Sequence, residues 1–140
     1  MQEQLVSFKV SKLAKEKGFD IPVLNCYNEN GEFGDVESLC FVNYNQFKNV
    51  YGSNTNMYSA PTQSLLQKWL RDKHKIHIFV IPCEPSSYSK YKDLSVVWIY
   101  DIYKPLLVEY GHSNKGDNLL SYEQALDEGL YEALTLIKNE

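Results

Sequence analysis

A chain of 140 residues with a net charge of −4 fits one domain. At that size about 68–70% of the unfolded surface can be buried, so the core needs no metal or disulfide staple. The acidic balance disfavours binding to duplex nucleic acid, which needs a basic footprint. No apolar run approaches the roughly 20 residues that span a bilayer, so no membrane role is expected.

The chain opens with a predicted helix at 7–17. Phe8, Val10, Leu13 and Ala14 share an apolar stripe, while Lys9, Lys12, Lys15 and Glu16 face water. Gly18 stands where a left-handed cap is wanted, and Pro22 forbids continuation. Val23 to Tyr27 reads as a strand, and Asn28-Glu29-Asn30-Gly31 as a turn. Glu32-Phe33 starts a return strand, which Gly34-Asp35 interrupts. Leu39 to Val42 is a second short apolar run. Asn43 to Ser59 has no clean period and reads mostly as loop, with a helical turn around Tyr44 to Val50.

The clearest element follows. Thr62 can cap a helix at 62–74. Leu65, Leu66, Trp69 and Leu70 lie on one face, with Gln63, Gln67, Arg71 and His74 on the polar side. Ile76 to Ile81 is β-branched and aromatic, hence a strand, which Pro82 closes. Cys83 to Asp93 is a loop. Leu94 to Tyr103 is a long strand, with Trp98, Tyr100 and Ile102 on one face and Tyr103 on the other. Leu106 to Tyr110 reads as a further edge strand and Gly111 to Asn118 as a polar loop. Ser121-Tyr122-Glu123-Gln124 fits a capping box opening a helix at 121–138. Tyr122, Leu126, Leu130, Ala133, Leu134 and Ile137 form its core stripe. Gly129, costing about 1 kcal/mol against Ala in mid-helix, suggests close approach of another element.

The chemistry-bearing residues are sparse. Three cysteines without C-x-x-C spacing suggest free thiols in a reducing cytosol. Cys26 and Cys40 read as core and Cys83 as half-buried. His74 and His77 straddle a helix–strand junction with no ligand at zinc spacing, so no metal site is assigned. Cys83 lacks a neighbouring base in sequence, so no catalytic residue is assigned. Phosphate-loop and G-x-S-x-G patterns are missing, and no cofactor is called for. Asp127 and Glu128 read as a solvated helix face. Eleven tyrosines are the compositional outlier. They suit sheet packing or a binding surface, and an aromatic strip of Trp98, Tyr100, Tyr103 and Tyr110 is the candidate interaction face.

Three blocks carry a resemblance: Leu13-Ala14-Lys15-Glu16-Lys17-Gly18-Phe19, Ala60 to Arg71, and Ser121 to Leu130. In that order they resemble a group of short proteins of unassigned function encoded by phages and prophages of gut-type bacteria. The resemblance implies the cytoplasm of a bacterial host and transfers no residue roles. Asn30 to Ser59 is unmatched.

The expected fold is a single α+β domain, 1–140, with a small, mainly antiparallel sheet packed by helices at 7–17, 62–74 and 121–138. The expected function is a non-enzymatic accessory protein binding a protein partner. Its interaction candidates are Gln63, Gln67, Arg71 and His74, with the aromatic strip. The alternatives are a small hydrolase or nucleotide-binding enzyme using His74, His77, Cys83 and nearby acids, and a homo-oligomeric structural component.

Overall fold

The computed structural model describes residues 3–34, 40–46, 56–105 and 119–138. Among these residues, three helices pack with two small antiparallel sheets of two strands each. In chain order these are α1 (Phe8–Glu16), β1 (Cys26–Tyr27), a 3-10 turn (Tyr44–Gln46), β2 (Tyr58–Ser59), α2 (Gln63–His74), β3 (His77–Cys83), β4 (Val97–Tyr103) and α3 (Tyr122–Thr135).

Local chemistry explains the ends of the helices. The Thr62 hydroxyl accepts from the Leu65 amide at 3.3 Å, and the Ser121 hydroxyl from the Gln124 amide at 3.0 Å. The Gln124 side chain returns to the Leu120 amide at 3.1 Å, one residue before the cap, a variant of the expected box. Gly18 adopts φ +88° after α1, the left-handed geometry a glycine supplies without cost. α1 has no side-chain cap and no acid in its first turn. Its negative partner comes from α3 instead: the Ser7 amide donates to Asp127 Oδ1 at 2.9 Å.

The core lies between the helices and the inner face of β3–β4. Val6, Val10, Ala14, Phe19, Leu66, Trp69, Leu70, Ile76, Leu130 and Leu134 are buried. Trp69 stands edge-on to Phe19, with ring centroids 5.3 Å apart. β3 and β4 pair Ile78 with Ile102, Val80 with Tyr100 and Pro82 with Trp98. These side chains share one face, and α3 covers it. A β-carbon on Gly129 would lie 3.0 Å from Ile78 Cγ2 and 3.2 Å from the Tyr100 ring. The glycine therefore permits the expected close approach.

β3 runs through Pro82 to Cys83 rather than ending at Ile81. Trp98 exchanges both backbone bonds with Leu119, at 2.8 and 3.1 Å, so its N–H and C=O face away from β3. Antiparallel ladders alternate, so Ile78, Val80 and Pro82 also turn their backbone groups away from β4. Pro82 thus sits where no N–H is required. On the same outer edge Gln67 Nε2 donates to the Ile78 carbonyl at 3.0 Å. The edge is blunted at both ends, leaving only Val80.

Other expectations need correction. The strand at Val23 to Tyr27 shrinks to Cys26–Tyr27, with an isolated bridge from Val23 to Val42. The strand expected from Leu94 begins at Val97. β2 arises within the segment read as loop. Cys40 is exposed rather than core, while Cys26 is buried. Tyr122 is 42% exposed instead of lying in the α3 stripe, because its ring packs edge-on against Trp98 at 5.7 Å. The α1 lysines are not merely solvated. Lys15 Nζ donates to Met57 O at 2.9 Å, and Lys17 Nζ to Ile137 O at 2.8 Å. The helical turn at Tyr44–Gln46 is present; the run Leu39 to Val42 forms no strand over its described residues 40–42 beyond the Val42 bridge to Val23, and the expected strand at Leu106 to Tyr110 lies outside the described residues. No helix among the described residues is long and apolar enough to cross a membrane.

Candidate functional site

An acidic cleft opens where three separated pieces of chain meet. The first is the extended segment 3–7. It is zipped to the start of α2 by Val6 N–H to Pro61 O at 3.0 Å and Gln63 N–H to Gln4 O at 2.9 Å. The second is the beginning of α3, where Glu123 and Asp127, and likewise Gln124 and Glu128, stand one turn apart. The third is the turn after β1, which returns Phe33 onto Tyr27. Their rings stack at 4.9 Å and 25°. Asn28 builds that turn, its Oδ1 accepting from the Asn30 amide at 2.9 Å and the Glu32 amide at 3.0 Å.

The cleft measures about 760 Å³ and is lined by Glu3, Glu123, Asp127 and Glu128, with Gln63 and Gln124 beside them. No lysine, arginine or histidine lines it among the described residues. Glu3 accepts from the Ser64 hydroxyl, and Glu128 pairs with Lys9 Nζ at 2.6 Å on the rim. The Glu123 carboxylate has no partner among the described residues. Like charges one helical turn apart oppose each other, an arrangement that the positive end of α3 offsets in part. Burial first, and then the Asp127 charge, push the Tyr27 hydroxyl above its ordinary pKa. It stays protonated and donates to Val6 O at 2.6 Å. The Ser7 hydroxyl oxygen lies shielded from solvent with no partner among the described residues. A carboxylate-lined cleft with an exposed ring, Phe33 at 60%, is chemically suited to a cationic, partly apolar ligand.

The residues singled out from sequence do not form one site. Gln63 is buried at the cleft wall, donating from Nε2 to Glu123 O at 2.8 Å. Gln67 serves the β3 edge. Arg71 is exposed, its Nε 3.9 Å from Asp72. His74 packs edge-on against Trp69 at 4.6 Å, with Nε2 shielded and without a partner among the described residues. Burial, then Lys73 and Lys104, hold its pKa below the usual histidine range. The aromatic strip is split. Trp98 and Tyr100 lie on the α3 side, where the Tyr100 hydroxyl donates to Glu132 at 2.6 Å. Tyr103 is 45% exposed on the opposite face, near His77 at 6.0 Å. Tyr110 lies outside the described residues.

The hydrolase constellation is not assembled. His77 and Cys83 occupy opposite ends of β3, roughly 20 Å apart at about 3.3 Å per residue. That exceeds the reach of a general base. Among the described residues no group of three His, Cys, Asp or Glu side chains is placed to hold a metal. The residues missed from sequence are Glu3, Glu123, Asp127 and Glu128. The i, i+4 spacing of the α3 acids was visible, but nothing nearby in sequence points to the walls they face. Compared with protein-family models, curated proteins and solved structures, the chain matches none of them.

Proposed function

We propose that this protein is a binding module whose acidic cleft takes a lysine- or arginine-bearing segment of a protein partner. The carrying observation is the cleft itself, where four carboxylates converge beside the exposed Phe33 ring, stacked on Tyr27. Carboxylates supply the complementary charge, and the Phe33 face can hold a cation or an aliphatic stem. The setting we propose is the cytoplasm of a bacterium carrying a phage or prophage; it rests on the sequence resemblance alone.

A fluorescent lysine-containing peptide titrated by anisotropy tests the reading. Glu123→Gln and Glu128→Gln are each expected to weaken binding about 2–5-fold, as partly exposed charge pairs do. Binding also weakens as salt rises. Equal affinity for a glutamate-containing peptide, or affinity indifferent to both substitutions, contradicts it.

A further inference from the structure

The cleft has a backbone side as well as a charged one. Leu5 and Thr62 form an antiparallel bridge whose two bonds flank them, from Val6 N–H to Pro61 O and from Gln63 N–H to Gln4 O. The Leu5 N–H and C=O therefore point away from the α2 side. Neither has a partner among the described residues, and Leu5 lines the cleft. Two residues on, the Ser7 N–H faces the same way and is taken by Asp127. Among the described residues, one donor and one acceptor without a partner thus stand on an extended edge inside an acidic cleft.

Resting on the binding reading above, we infer that the partner segment is an extended basic strand that adds to the 3–7 edge by pairing with Leu5. An extended peptide offers an N–H to the Leu5 carbonyl and a C=O to the Leu5 amide. Its alternating side chains then face Glu123 and Glu128 on one side. A compact cation or a basic helix leaves both Leu5 groups unmet, which is unfavourable once the cleft is closed over them.

The test uses the intact protein and a short peptide of alternating lysine and threonine. Two further versions are N-methylated, one at every lysine and one at every threonine. Strand addition uses the amides of only one alternating set. One methylated version is expected to lose about tenfold in affinity while the other stays within about twofold. The Leu5 amide also gains protection from hydrogen exchange in the saturated complex. If the parent peptide binds and both methylated versions bind equally, strand addition is overturned while the acidic-cleft reading stands. If the parent peptide fails to bind, both fail together.

Discussion

The Ser7 amide donates to the Asp127 carboxylate at 2.9 Å across 120 positions of sequence. That bond gives α1 the N-terminal charge its own first turn lacks and fixes the distance between two walls of the cleft. Asp127→Ala removes a charge-assisted bond and is expected to cost about 1.5–3 kcal/mol. Asp127→Asn, which keeps an acceptor, costs less. Chemical denaturation of both variants checks the order. Equal losses mean that the charge has no role at the α1 terminus.

Gly129 is expected to resist the usual helix-stabilising exchange. Gly129→Ala gains about 1 kcal/mol in propensity. Its new methyl group meets buried Ile78 and a Tyr100 ring tethered to Glu132. Neither neighbour gives way freely, and overpacking of this kind costs about 1–3 kcal/mol. A lower thermal midpoint is therefore expected. A higher one means that α3 slides away from β3–β4 without penalty.

His74 makes stability depend on pH. In the folded state its pKa is held below the ordinary value of 6.5, by burial first and by Lys73 and Lys104 after it. Between the two values the unfolded chain binds more protons, so stability rises with pH through that window. Stability is expected to fall as pH drops below about 6.5. His74→Gln flattens this part of the profile. Thermal melts of both proteins between pH 7.5 and 5.5 make the comparison, and identical slopes contradict the assignment.

Among the described residues the outer edge of β3 is unpaired, with Gln67 occupying the Ile78 carbonyl and Pro82 offering no donor. Gln67→Ala with Pro82→Val uncovers the edge. Size-exclusion chromatography is expected to show a shift toward larger species relative to the parent chain at the same concentration. A double variant that elutes as the parent does contradicts the edge account.

The helices were legible because their signals are local. Thr62 and Ser121 cap where hydroxyl residues are favoured, and Leu66, Trp69, Leu70, Leu130 and Leu134 follow the helical period. The β3–β4 pair was legible from its β-branched and aromatic runs. β1 was legible only as the end of a longer run, Val23 to Tyr27, and β2 was not, since its two residues depend on chain closure between Cys26 and Ser59. The alternation of β4 already separates Tyr103 from Trp98 and Tyr100, which breaks the aromatic strip. The cleft was least legible of all. Glu3, Phe33 and Glu123 come from three distant segments, brought together by bonds through Gln63 and by the packing of α1 and α2 on α3.

The most direct test of the acidic cleft is an amide chemical-shift titration of the labelled protein with the lysine–threonine peptide. Shifts are expected to concentrate at Leu5, Ser7, Phe33, Glu123, Asp127 and Glu128, and to shrink in Glu123→Gln. Shifts concentrated instead at Phe79, Ile81 and Tyr103, on the open face of β3–β4, would contradict it.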